Sequence, residues 1–381
     1  MARKSHYTLK ENFQIYLPPV VGYSFIHLIA MLFRYRIQWK YLGRSVVICL
    51  ISFIGIPFRI YENIRYRSKI NDFDLPEDPI FIIGHWRSGT TYLHNIISHD
   101  EHMGYVTTYQ TVFPNALFRS PGRLIFRSFM RLLIPSSRKG DNVQLGVEYP
   151  QEEEFAIGAA RGTCFYYFWY FPRKLREFYR ENINFQDNAQ KGTFSKEYKK
   201  VITKAMMYSG KPVFISKNPS NTGRVKLLLE LFPKARFIYI YRNPVSVILS
   251  TRNFFDKMMP VLWLQELRPE ERKREIYMLY RNIMGKYLEE RSLIPEGQLI
   301  EVKFEEFEHN PVPWLEKIYS RLKISGYEKA RLDFEHYFAR ARKYKKNTYT
   351  IRDNDLKDIL EHTREYMEAW GYDLPENLEI R

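Results

Sequence analysis

Between a short apolar run, Ile80–Ile83, and a stretch with Leu93, Ile96 and Ile97 at helical spacing, the chain reads Gly84-His85-Trp86-Arg87-Ser88-Gly89-Thr90-Thr91. This is the spacing of a phosphate-binding loop, G-x-x-x-x-G-x-[ST], with Gly84, Gly89 and Thr91 in register. Glycines let the backbone curl so that N–H groups point inward, and a following helix adds its positive N-terminal end. The lysine that nucleotide triphosphatases place before the last hydroxyl is absent. Thr90 stands there, and the cation is Arg87, inside the loop. Such a loop can hold a phosphate but is poorly built for reaching the outer phosphates of ATP.

Two more segments carry groups suited to anions. Arg242 ends an apolar-aromatic run, 235–241, and Ser250 lies eight residues on, two turns into the helix expected after Pro244. An arginine fork with a hydroxyl is a receiver for a second phosphate; the plainer alternative is an arginine capping a strand and a serine on a helix face. Ser216-Lys217-Asn218-Pro219 likewise follows an expected strand, 212–216. Parallel sheets bind ligands beyond the carboxyl ends of their strands, so Gly84, Lys217 and Arg242 can converge on one crevice. Lys345 and Lys346 are further candidates for a phosphate, or simply a solvated basic run. An acceptor hydroxyl would need a proton acceptor. Glu152-Glu153-Glu154 and His85 are the candidates, the alternative for each glutamate being an ordinary surface position. His94, four residues past Thr90, reads as packed against its neighbours.

These residues need a scaffold of alternating strands and helices. Expected strands are 80–83, 212–216, 235–241 and 298–304. Expected helices follow the first glycines, carry Val225, Leu228, Leu229 and Phe232 on one face, begin at Pro244, and span 312–322 and 355–370. That order predicts an α/β domain with a central parallel β-sheet flanked by helices. Residues 101–200 read as aromatic-rich and irregular. Their densest part runs from Cys164 to Phe171, either core or the lining of an apolar acceptor pocket.

In combination, these motifs resemble the PAPS-dependent sulfotransferases, PAPS being 3′-phosphoadenosine-5′-phosphosulfate. The first loop, continued as Tyr92-Leu93-His94, is similar to the bacterial branch that reads G-x-x-R-S-G-T-T-x-L-H. Lys217-Asn218-Pro219, and Leu231 through Phe237, look like tyrosylprotein sulfotransferases as well. Pro150-Gln151-Glu152-Glu153-Glu154-Phe155 looks like an acidic motif of the bacterial branch, which favours Glu152 as the base. The resemblance covers roughly residues 78–255 and implies a P-loop-like fold, PAPS as donor with PAP as product, and no metal. It implies Arg87, with the amides of Ser88, Gly89, Thr90 and Thr91, at the 5′-phosphate. Arg242 and Ser250, with Lys345 as a weaker addition, would hold the 3′-phosphate, and Lys217 would lie at the transferred group. Many relatives have lysine where Arg87 stands, and several carry a glutamate base where this chain reads Tyr105 to Gln110 without an acid.

The chain has 381 residues and a net charge of +16. The charge calls for an anionic partner: nucleic acid, an acidic membrane face or a polyanionic cofactor. A kinase-type reading lacks the loop lysine and a strand ending in aspartate. A non-catalytic basic binding protein explains the charge but not three phosphate-type motifs on one sheet edge. No nucleic-acid partner is therefore expected. Two cysteines, Cys49 and Cys164, allow one disulfide but no framework, and Asn218-Pro219-Ser220 is excluded as a glycan acceptor by its proline. These features point to a cytoplasmic setting. The expected organisation is an apolar-basic N-terminal helical region, 1–75, and a catalytic domain, 76–381. In the former, the clean apolar stretches 20–33 and 45–58 are each 14 residues, short of the roughly 20 that span a bilayer. With basic residues between and after them, they suit an element lying on an anionic membrane surface, or else a pair of buried helices over the main core. The acceptor could be a small molecule, or a lipid or sterol-like alcohol.

Overall fold

The computed structural model describes residues 19–118, 121–134, 145–161, 164–340 and 349–381. The chain divides into two compact units. One comprises 1–75, 106–209 and 255–267; the other comprises 76–105, 210–254 and 268–381.

The second unit is built on a five-stranded sheet. Its strands are β1 (Ile80–Ile83), β2 (Met103–Gly104), β3 (Val213–Lys217), β4 (Arg236–Tyr241) and β5 (Leu299–Lys303), in the order β2-β3-β1-β4-β5. Every pairing is parallel, with Ile82 opposite Lys217 on one side and Ile238 on the other. Parallel strands covered on both faces read as continuous apolar runs rather than alternations. All four residues of β1 are accordingly fully buried.

The strand period of two divides the sheet chemically. Ile80, Ile82, Ile238 and Ile240 pack with Leu93, Ile96 and Ile97 of the Thr90–Ile97 helix and with Leu315 and Ile318 of the Pro311–Arg321 helix. The other face is aromatic. There Phe81 meets Phe232 and Phe237, and Tyr239 stacks on Tyr287 with ring centroids 3.7 Å apart. The expected strands and helices are all present within a residue or two. Two 22-residue helices, Asn188–Ser209 and Pro269–Glu290, were not anticipated, because frequent charged residues obscure their apolar stripes. A parallel ribbon of β6 (Tyr349–Ile351) and β7 (Leu378–Ile380) completes the unit.

The first unit is helical. Its aromatic run is core: every residue from Cys164 to Phe171 is buried, and Phe165–Trp169 forms a tight 3-10 turn. Tyr23 seats against Tyr167 and Tyr170 there. The middle segment read as irregular in fact contains the helices Thr108–Val112, Pro121–Leu133 and Glu153–Arg161. The N-terminal region departs most from expectation. Residues 45–58, read as a stretch too short to span a bilayer, lie within one helical stretch, Trp39–Asn71. That stretch is 33 residues long with a mean hydropathy of 1.8 in its most apolar window, enough by length and composition to cross a membrane. Nor is it a buried helix, since only 22% of that window lies inside the protein. Cys49 and Cys164 are not joined in a disulfide.

Candidate functional site

Three adjacent strands, β3, β1 and β4, deliver Lys217, the Gly84–Thr91 loop and Arg242 to the same sheet edge. Convergence at carboxyl ends follows from the parallel topology and needs no further device.

The loop takes the conformation its glycines allow. Gly84 has φ 145° and Gly89 φ 99°. A β-carbon on Gly84 would lie 2.2 Å from the Ile240 carbonyl oxygen, and one on Gly89 2.2 Å from the Phe304 ring. Arg87 also sits in the left-handed region, at φ 73°, which costs a bulky L-residue energy and is held only where the surroundings over-determine it. Those surroundings are specific. The Ser88 hydroxyl is 2.6 Å from the His85 carbonyl and 3.1 Å from that of Ile240. Thr222 Oγ1 accepts from the Gly84 amide at 2.7 Å and lies 3.1 Å from its carbonyl. Sequence reasoning missed Thr222; it is 138 positions from Gly84, and no local signal marks it.

Arg87 Nε donates to Ser250 Oγ at 3.0 Å, and Arg242 Nη1 donates to the Arg87 carbonyl at 3.4 Å. The loop cation, the second arginine and the helix hydroxyl therefore form one cluster. Arg242, just past its strand, and Ser250, on its helix, both bond Arg87. Two rings support the cluster: the Arg242 guanidinium lies 4.8 Å from the Phe304 centroid, and that of Arg87 lies 5.8 Å from Phe254. Asn243 aims the Pro244–Lys257 helix at the cluster. Its Oδ1 accepts from the Val245 and Ser246 amides, and its Nδ2 donates to the Asp373 carbonyl at 2.7 Å. Asn218 does the same for the turn after β3, accepting from the Ser220 amide. The first amides of the Thr90–Ile97 helix have no partner within the helix and carry its positive end to the loop. Guanidinium groups, a buried lysine and helix-end amides are the group types that can receive anions.

Two histidines border it. His85 is buried, and its Nδ1 lies 2.8 Å from the Trp86 carbonyl oxygen. A carbonyl only accepts, so the proton is on Nδ1 and Nε2 carries a lone pair; among the described residues Nε2 has no partner. Burial pushes the His85 pKa down to about 4, against a partial rise from the Trp86 bond. His94 is packed, as expected, lying edge-on to Tyr105. Yet neither of its ring nitrogens has a partner among the described residues. Burial first, and the charge of Lys217 second, hold its pKa well below the usual imidazole range.

The acidic run lies in the first unit and is not a surface feature. Glu152, Glu153 and Glu154 are all buried around the first turn of the Glu153–Arg161 helix. Tyr166 donates to Glu152, Tyr198 donates to Glu153 at 2.7 Å, and the Phe165 amide donates to Glu154 at 2.8 Å. The acid-free segment has its own structural role: Thr107 and Gln110 form a reciprocal capping box at the Thr108–Val112 helix. Lys345 and Lys346 lie outside the described residues.

The family model described as "Sulfotransferase family" matches residues 79–329. The omega-hydroxy-beta-dihydromenaquinone-9 sulfotransferase Stf3 of Mycobacterium bovis is 25% identical over 374 residues, covering 96% of this chain and 94% of its own. The protein of that name from Mycobacterium tuberculosis matches to the same extent. Among solved structures, sulfotransferase STF9 from Mycobacterium avium superposes with a TM-score of 0.66 at 15% identity, covering 94% of this chain and 98% of that one. Sulfotransferase STF1 from Mycobacterium tuberculosis gives 0.61 at 11% identity, covering 94% and 99%. These two similarities bear on the fold alone.

Proposed function

The chain belongs to the sulfotransferase family, and from that premise we propose that it moves a sulfuryl group from PAPS to the hydroxyl of a lipid-like alcohol. The observation that carries the donor half is the Arg87–Ser250 hydrogen bond, which gathers a loop cation and a helix hydroxyl 163 positions apart beside Arg242. The acceptor half draws on the relative whose name gives omega-hydroxy-beta-dihydromenaquinone-9 as what it sulfates.

The loop fits a phosphate on physical grounds: the backbone at Gly84 and Gly89 occupies space that any β-carbon would deny. In this reading Arg87 and the amides of Ser88, Gly89, Thr90 and Thr91 hold the donor's 5′-phosphate. Arg242 and Ser250 hold the 3′-phosphate and distinguish PAPS from plain nucleotides, with Lys345 as a further candidate. PAPS supplies an activated sulfuryl group, and transfer is in-line with no metal required. Lys217 neutralises charge on the transferred or leaving oxygens; such groups act by position and electrostatics rather than covalent chemistry.

The acceptor hydroxyl loses its proton to a base. Glu152 and Glu153 remain candidates. His85 and His94 are the candidates within the donor-side unit. Both are neutral near pH 7, and His94 adjoins Lys217. The protein is proposed to act in the cytoplasm.

The test is transfer of radiolabelled sulfate from PAPS to a panel of hydroxylated isoprenoid quinones, sterols, phenols, sugars and tyrosine peptides. Label on a lipid alcohol, lost in Arg87→Ala and Lys217→Ala, is expected. Label only on sugars or peptides would overturn the acceptor reading. Absence of both transfer and PAP binding would overturn the donor reading.

A further inference from the structure

A helix on the surface of a water-soluble protein turns its apolar stripe inward and its polar residues to solvent. The Trp39–Asn71 stretch does the reverse. Its inward positions are Ser45, Ile48, Ser52, Gly55, Glu62 and Ile70, spaced by three, four, three, seven and eight residues. They are tied down by polar bonds. Ser52 donates to the Tyr23 carbonyl, the Arg59 guanidinium donates to that of Gly22 at 3.1 Å, and Glu62 pairs with Lys204 at 2.8 Å. The outward face carries Val47, Leu50, Phe53, Ile60 and Ile64, the last 77% exposed. Helix-forming sequence has put its hydrophobic side where water would be.

The neighbouring helices extend this face. Phe25 meets Phe53 at 5.4 Å between ring centroids, and the helix of Phe25, Phe25–Tyr35, exposes Ile26 and Phe33. Phe58 meets Phe126 at 5.3 Å, and the Pro121–Leu133 helix exposes Leu124, Ile125 and Leu132. Trp39, at the start of the long stretch, is 87% exposed. Isolated exposed apolar residues are ordinary, but a contiguous face on three helices is not.

Charge identifies the occupant. Residues 25–71 hold eight Lys and Arg against one acid, Glu62, which is buried and paired, and residues 121–134 hold three Arg and no acid; of these cations Arg34, Lys40 and Arg127 pair with acids of other elements. Arg36, Arg65, Arg67, Lys69 and Arg131 are exposed. An apolar face rimmed by cations, with an exposed tryptophan at its edge, matches the interfacial zone of a membrane with anionic lipids. The polar ties on the inner face fix the stretch to its own unit along its length, so it lies in one leaflet instead of crossing.

We propose that the outer faces of Phe25–Tyr35, Trp39–Asn71 and Pro121–Leu133 form a monotopic docking surface for an anionic bilayer. This goes beyond the donor reading and stands without it, although an enzyme seated in a leaflet would meet a lipid alcohol where that substrate dissolves.

Sedimentation with phosphatidylcholine vesicles containing one quarter phosphatidylglycerol tests it, alongside vesicles of phosphatidylcholine alone. The full chain is expected to sediment with the anionic vesicles. Leu50→Glu/Ile64→Glu should lower partitioning by at least tenfold. Arg65→Gln/Arg67→Gln should lower it about fivefold per residue on anionic vesicles only. Vesicles of brominated lipid should quench a fluorescence component that is missing in Trp39→Phe, a readout that needs no disruptive change. Protein left in the supernatant with Trp39 unquenched would overturn the proposal. So would a dimer, seen by light scattering, that Leu50→Glu/Ile64→Glu dissolves while vesicles bind nothing. PAP titration of the same samples, expected unchanged by Leu50→Glu/Ile64→Glu, keeps failure of the donor reading separate.

Discussion

The phosphate-type loop, half of it buried, and the fully buried acidic run are both short and polar, yet they meet the cost of burial in opposite ways. Around Glu152–Glu154 each carboxylate accepts from a tyrosine hydroxyl or a backbone amide, and in the same unit Lys204 reaches Glu62, the Pro114 carbonyl and Asn115 Oδ1 together. Around Gly84–Thr91 the backbone is held in the left-handed region at Arg87, and buried nitrogens of His85 and His94 have no partner among the described residues. A closed network serves stability, because each buried polar group already has what water would supply. An open one is less stable than it could be, and such sites are where ligands complete the hydrogen bonding.

The comparison can be broken most sharply at the closed network. Glu62→Ala strands the Lys204 ammonium in the interior and should cost about 3–5 kcal/mol, read as a lower midpoint in urea unfolding. A loss within the error of measurement would mean that the pair is solvated.

At the open site the prediction is reversed: Arg87→Ala should lower sulfuryl transfer about 10²–10³-fold while leaving the urea midpoint near wild type. An equal loss of stability would make Arg87 a structural residue.

His85 sharpens the contrast through pH. Its folded pKa, about 4, is below the unfolded imidazole value of about 6.5. The unfolded chain therefore binds the proton first. The stability due to keeping His85 neutral is full above pH about 6.5 and is lost as pH falls toward 4, by roughly 3 kcal/mol in all. His85→Gln should flatten that slope in urea titrations across the window, and an unchanged slope would remove His85 as its source.

The smallest effect is expected at Tyr198→Phe, which removes one donor from buried Glu153 and should cost about 1–3 kcal/mol with PAP affinity unchanged. A shift in PAP affinity would show that the acidic run and PAP binding are coupled.

The architecture of the second unit was legible in the sequence because its signals are local. Continuous apolar runs marked β1 and β4, glycines marked the backbone positions that must take positive φ, and proline marked the start of the Pro244–Lys257 helix. The charge of +16 and the motif spacing could be read the same way. Three things were decided only in the folded chain. The Arg87–Ser250 and Gly84–Thr222 bonds join residues far apart in sequence, so no window contains them. The burial of Glu152, Glu153 and Glu154 depended on Tyr166 and Tyr198 arriving to satisfy them. The orientation of Trp39–Asn71 was open because periodicity shows which residues share a helix face, but not which face the rest of the protein covers. There, packing turned the serines inward and left the apolar side to the surroundings.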